Sequence, residues 1–229
     1  MGGGCRGQSE GRARGFPKIK ICGMLFYSGM NERLRAEKNS ETPNQRIFRH
    51  YVEALKLTDD DLKKRILDVG SRTGSFGMEA ARQGYPNAVS LDFDHPGFHS
   101  HAENFIVGDA RALPIRDNEF DIAISIHAIP IMLDDRTMRA QVVKAALEML
   151  RVVKPGGEVR WGHVDYNPEG KPEFMNNRGE MIALGLEDLR KRGIEITVEK
   201  DPTSSGPDRW GIDTVLVRIR KPVPTLNSK

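Results

Sequence analysis

The chain has 229 residues, 38% of them hydrophobic and 29% charged. That is enough apolar side chain for one core of the doubly wound α/β size and too little for two independent enzyme domains. A formal net charge of +3 is too mild to argue for a nucleic-acid partner, and the absence of any apolar run approaching ~18 residues argues against a membrane-spanning helix. The two cysteines, Cys5 and Cys22, make no Cys-x-x-Cys pair and have no histidine-rich neighbourhood, which suits a reducing, cytoplasmic setting better than a disulfide or zinc framework.

Residues 1–41 open on a Gly- and Arg-rich stretch with almost nothing to bury. They are expected to be disordered or extended, with Met24 or Met30 as alternative starts. Residues 42–222 read as one domain and 223–229 as a tail. Between Thr42 and Asp61, Ile47, Phe48, Tyr51, Val52, Leu55 and Leu57 recur at helical spacing, with Asn44 as the expected cap behind Pro43.

Beyond this helix the pattern alternates between short β-branched runs and longer runs of period 3.6, the signature of a parallel sheet covered by helices on both faces. Strands are expected at 65–69, 88–91, 105–107, 120–126 and 158–162, and helices at 75–83, 134–152 and 178–192, the last ended by Gly193. Two more strands, 194–198 and 214–219, are separated by a loop too long for a tight hairpin.

The segment ILDVGSRTG ends a buried strand at Asp68 and Gly70 and opens a helix at Gly74, so the backbone can turn tightly around a ligand. Arg72 stands where a dinucleotide fingerprint needs its second glycine. Asp68 would repel a diphosphate and attract an ammonium group. Strand two ends in SLDFD, and Asp92 is the acid at the carboxyl edge of that strand, placed to accept from ribose hydroxyls. Phe93 beside it either lies against a base or turns into the core. In VGDARALPIRDNEFD, Asp109 can accept from an adenine amino group and Ala110 can offer its backbone amide, whereas Asp121 reads as structural. His95, His99 and His101 share a loop that Pro96 and Gly97 break, with no acidic or Cys partner, so no metal site is expected.

Taken together and in order, DVGSRTG, the SLD acid, GDARALPIRDNEFD and LRVVKPGG resemble the motifs of class I S-adenosylmethionine-dependent methyltransferases, most of all the type 11 group, over residues 51–161. The resemblance implies a Rossmann-like, doubly wound seven-stranded sheet of order 3-2-1-4-5-7-6, mostly parallel with the last strand antiparallel. It implies S-adenosylmethionine as cofactor, with Gly70, Ser71 and Gly74 in the cofactor loop, Asp68 at the methionine end, Asp92 at the ribose, Phe93, Asp109 and Ala110 around the adenine, and Ser125 from the fourth strand. It also implies that His127, in SIHAIPIMLDD, lies near the transferred methyl, either as the candidate catalytic base or as a ring packed beneath the cofactor without catalytic duty.

Two features depart from the family pattern: Ser71 and Arg72 replace small residues in the loop, and the crossover DHPGFHSHAENF is short. The segment lacks the Asn- or Asp-Pro-Pro-aromatic signature used on exocyclic base amines, so a small-molecule acceptor is favoured over nucleic acid. Tyr166, Glu173 and Arg178, in the polar region after strand five, are candidate acceptor contacts. A catalytically silent cofactor-binding protein and a nicotinamide-dependent oxidoreductase remain the alternatives.

Overall fold

A computed structural model describes residues 41–94, 104–129, 137–166, 178–204 and 213–223. Thr42–Lys229 form one compact unit; of the separate unit Met1–Glu41 only Glu41 is described. The expectations for the N-terminal segment, for His95, His99 and His101, for Glu173 and for residues 224–229 therefore lie outside the described residues.

The chain begins with helix α1 (Pro43–Ala54). Its N-cap is Thr42, not Asn44: the Thr42 hydroxyl accepts the Gln45 N–H while the Gln45 side chain accepts from the Thr42 N–H, and Pro43 occupies the first turn, where its missing N–H costs nothing. The expected single helix over 42–61 is broken. Lys56 takes a positive φ of 48°, and a second capping box, Thr58 with Asp61, starts the short helix α2 (Asp59–Leu62).

Strand β1 (Ile66–Val69) leads into α3 (Ser75–Arg82), then β2 (Ala88–Asp92), β3 (Phe105–Val107) and β4 (Phe120–Ile126). Helix α4 (Met138–Val152) precedes β5 (Val153–Tyr166), and α5 (Arg178–Lys191) precedes β6 (Glu195–Lys200) and β7 (Asp213–Arg220). The sheet has the order β3-β2-β1-β4-β5-β7-β6. Pairs from β3 through β5 are parallel, and β7 runs antiparallel to both neighbours.

Strand β5 is longer than its apolar run. It pairs with β4 at Val153 and again from Glu158, and the turn-forming residues between bulge out of the ladder before it resumes. Asp121 is structural, accepting the Arg65 N–H at 3.0 Å and Lys154 Nζ at 2.7 Å.

Two cores follow from the pleat, because alternate residues of a strand face opposite sides. Leu67, Val69, Ala123, Val159 and Trp161 pack under α4 and α5, while Ile66, Ile122, Ile124 and Ile126 pack with Phe48, Tyr51, Leu55 and Phe76 of α1, its C-terminal turn and α3. Asp68 shares the parity of Ile66, so it enters the second layer, otherwise apolar, facing Tyr51.

Candidate active site

The carboxyl ends of β1, β2 and β4 meet around the turn after β1. There Gly70 and Ser71 both donate their N–H groups to Leu91 O, at 2.8 and 3.0 Å, and Gly74 closes the turn onto Ser71 O at 3.0 Å. Gly70 is required twice over. Its φ is +81°, and a Cβ there would lie 2.0 Å from the Cβ of Ala128. Beside it opens a cavity of about 170 Å³, walled in part by Gly70, Asp92, Phe93, Asp109, Ala110 and Ala128.

Among the residues expected to hold the cofactor, Gly70, Asp92, Phe93, Asp109 and Ala110 thus come to one wall. Phe93 is 62% exposed, so it faces the cavity and not the core. The Asp92 carboxylate is buried and partly engaged: Oδ2 accepts the Arg72 N–H at 2.7 Å and Oδ1 takes a long bond of 3.4 Å from the Asp94 N–H. Arg72 reaches that bond with a φ of 52°, a left-handed conformation that a non-glycine residue adopts at a cost.

Asp109 is gripped by Arg111, whose guanidinium nitrogens lie 2.6–3.0 Å from its oxygens and whose own N–H adds a bond of 2.8 Å. These hydrogen bonds hold its carboxyl below the ordinary value. Arg111 also lines the cavity, a contribution that the sequence reading did not single out.

Four expected residues, Asp68, Ser71, Gly74 and Ser125, sit off that wall. Ser71 is buried with its Oγ unpartnered, and Gly74 serves as the left-handed N-cap of α3. Ser125 is fully buried one layer below, where its Oγ accepts the Ile129 N–H at 3.4 Å and so holds the turn after β4.

Asp68 is 1% exposed, and among the described residues its carboxylate meets no cation or backbone N–H, only the Tyr51 hydroxyl, which lies too far off line for a well-formed hydrogen bond. Burial, with the nearby Asp92 charge, pushes its pKa up to about 8, and the Tyr51 hydroxyl opposes this only weakly. Tyr51 itself is raised well above its ordinary value by burial and by the same two carboxylates. An unpaired buried carboxyl is expensive, and a cationic group arriving at the end of β1 would relieve it. Asp68, Gly70, Asp92 and the cavity wall therefore fit an adenosyl cofactor that carries an ammonium group.

Next to this cavity lies an arrangement that no spacing in the sequence announces. His127 follows β4 directly, with a φ of 55°. Its ring lies 4.4 Å from that of His163 on β5 and 6.3 Å from that of His50 on α1, and the His50 and His163 rings are 4.6 Å apart. His163 is anchored from behind: Nδ1 is 3.3 Å from Asp201 Oδ2 and Nε2 is 3.1 Å from Thr203 Oγ1. Burial, reinforced by the two neighbouring imidazoles and opposed by Asp201, lowers the His163 pKa to about 4. Desolvation and His50 lower that of His127, against the pull of Asp165 and Asp201. The expectation of no metal site rested on the loop histidines, and these three are a different set.

Tyr166 ends β5 half-buried against the core, and Arg178 opens α5. No contact of either with the cavity is seen among the described residues.

Residues 67–160 match the family described as Methyltransferase domain, the same stretch that carries the glycine turn, the Asp92 edge and the Asp109 loop. A demethylmenaquinone methyltransferase of Renibacterium salmoninarum is 36% identical over 113 residues, covering 46% of this chain and 44% of that protein. Over this stretch the chain is similar to methyltransferase domains that use S-adenosylmethionine. A second demethylmenaquinone methyltransferase, from Paenarthrobacter aurescens, is 32% identical over 120 residues, 50% of this chain and 43% of that protein. The chain thus spans a little under half the length of either curated relative it matches. Among solved structures, the 4+2 cyclase SpnF superposes with a TM-score of 0.54 at 21% identity, covering 78% of this chain and 81% of that one. That likeness concerns the fold, which serves more than one chemistry.

Proposed function

We propose that this protein binds S-adenosylmethionine at the cavity between β1, β2 and β4 and transfers its methyl group, by in-line displacement, to a small-molecule acceptor. The observation that carries the reading is Asp68: a buried carboxyl with no cation beside it among the described residues, under a glycine turn, beside a wall that pairs the Asp92 acid with the exposed ring of Phe93. Asp68 meets the ammonium group, Asp92 the ribose hydroxyls, Phe93 and Ala110 the adenine, and Asp109 its amino group as far as Arg111 leaves a lone pair free. When bound, the cofactor supplies an electrophilic methyl on a sulfonium centre. The protein's share is alignment and exclusion of water, with His127 at the mouth of β4 placed to take a proton from an acceptor hydroxyl or amine.

The named relatives act on demethylmenaquinone; for this chain the acceptor is left as a small molecule. The cysteine usage suits a reducing, cytoplasmic compartment, and among the described residues no helix is long and apolar enough to cross a membrane.

A second reading, a protein that binds the cofactor without transferring the methyl, draws on Ser71 and the left-handed Arg72 in the cofactor loop. Titration calorimetry with S-adenosylmethionine, S-adenosylhomocysteine and NAD separates the possibilities. Micromolar binding of the first two, lost in Asp92→Ala, is expected. Binding of NAD alone overturns the proposal, and cofactor binding without turnover across a panel of phenol, quinol, amine and thiol acceptors selects the second reading.

A further inference from the structure

We propose that His50, His127 and His163 form a binding site for a borderline divalent cation such as zinc, on the acceptor side of the cofactor cavity. One ring nitrogen from each lies within 4.8 Å of the others. Zinc–nitrogen bonds of about 2.0–2.1 Å in tetrahedral geometry place such nitrogens about 3.4 Å apart, so convergence asks for side-chain shifts of about an ångström. Three imidazoles with no carboxylate among them favour zinc, cobalt or nickel over magnesium or calcium, which prefer oxygen. Three protein ligands also leave a tetrahedral ion one position for an outside atom.

Three features support a built site, the first two sharing the bulge at His163. The first is backbone strain. His127 and His163 both hold positive φ angles, 55° and 52°, and conformations of this kind cluster at ligand-holding positions.

The second is the ladder. The β5–β7 register shifts between Trp161 and Val164, so a bulge at the carboxyl end of β5 turns His163 out of the pleat toward the mouth of the sheet.

The third is the support behind the ring. Asp201 is buried, fixed by the Thr203 N–H at 2.8 Å and the Thr203 hydroxyl at 2.7 Å, and it reaches His163 Nδ1 as the outer carboxylates of metal-bound histidines do. The Thr203 hydroxyl gives its one proton to Asp201, so the His163 Nε2–H donates to Thr203 Oγ1. A cation bound at Nε2 displaces that contact and moves the ring proton to Nδ1, which faces Asp201.

The consequence for chemistry rests on the methyl-transfer reading. A hydroxyl or thiol acceptor that takes the open position loses its proton to solvent and is held as an anion, so His127 then serves as a ligand and not as a base.

The test reads metal binding directly and needs no cofactor. Full-length protein is stripped with a chelator and titrated with zinc chloride by calorimetry and with cobalt chloride by visible absorption. The expected result is one equivalent per chain at micromolar affinity or tighter, weakened at least about tenfold by Asp201→Asn and abolished by His127→Asn or His163→Asn. Asparagine tolerates the left-handed backbone of both positions, and circular dichroism verifies that each variant is folded. A triple His95→Ala, His99→Ala, His101→Ala variant should bind as the parent does. The proposal is overturned by absence of stoichiometric binding, by binding that survives both asparagine variants, or by binding that disappears with the loop histidines. A protein that binds zinc but not S-adenosylmethionine would sink the methyl-transfer reading and leave the metal site standing.

Discussion

Asp68 and Arg72 hold the two local costs of the cofactor loop. The fold raises the Asp68 pKa from 3.8 to about 8, so it favours the neutral acid. Ionisation then takes stability away as pH rises above the ordinary carboxyl range, the full loss being reached beyond the raised value. A cationic ammonium brought to Asp68 restores the ordinary ionised state, so cofactor binding at pH 7 should release about one proton. Calorimetry in buffers of different ionisation heats measures that number. Asp68→Asn should release none and bind about tenfold or more weakly; unchanged proton release in the variant would show that Asp68 does not face the ammonium. Arg72 bears a different cost, since its left-handed φ of 52° serves an N–H bond to Asp92 that glycine makes equally well. Arg72→Gly should therefore raise the free energy of unfolding by up to about 1 kcal/mol, without weakening cofactor binding.

At the scale of elements, the break between α1 and α2 is held by one buried cation. Arg160 on β5 puts Nη2 3.0 Å from Asp61 Oδ2 and Nη1 3.2 and 3.0 Å from the carbonyls of Leu55 and Lys56. It therefore satisfies the carbonyls left open where α1 ends and pairs the capping acid of α2. Periodicity shows apolar residues continuing to Leu57 but not where the backbone stops being helical, which is why the residues 42–61 read as one helix. Arg160→Leu should cost about 1–3 kcal/mol in urea unfolding, because it strands the buried carbonyls of Leu55 and Lys56 and leaves Asp61 with Lys64 as its remaining cation. Burial pushes the Asp61 pKa up, but Lys64, Thr58 and Arg160 outweigh it and hold the carboxyl well below its ordinary value. Its contribution is thus complete above the usual carboxyl range and is lost as pH falls below it, so the difference between Arg160→Leu and the parent should shrink in acid. A difference independent of pH would place the effect in packing and not in the ion pair.

For the whole molecule, the sequence by itself determined the strand pattern, the helices between, and the ordered motifs that imply the sheet order and the cofactor edge. All of these are local signals: period 2 against period 3.6, glycines where φ turns positive, acids immediately after apolar runs. The cavity wall was legible because its residues end a strand or closely follow one, and strand ends of a parallel sheet share one edge. The tertiary structure decided what depends on contacts far apart in the chain. It showed that Asp109 is clasped by Arg111, that Ser125 lies beneath the site, and that Asp68 has no cation beside it among the described residues. Above all it brought His50, His127 and His163 together from α1, the end of β4 and a bulge in β5. A helix face, a strand end and a bulge become neighbours only when β5 lies beside β4 and α1 packs across that face of the sheet, and no spacing in a one-dimensional sequence encodes that meeting.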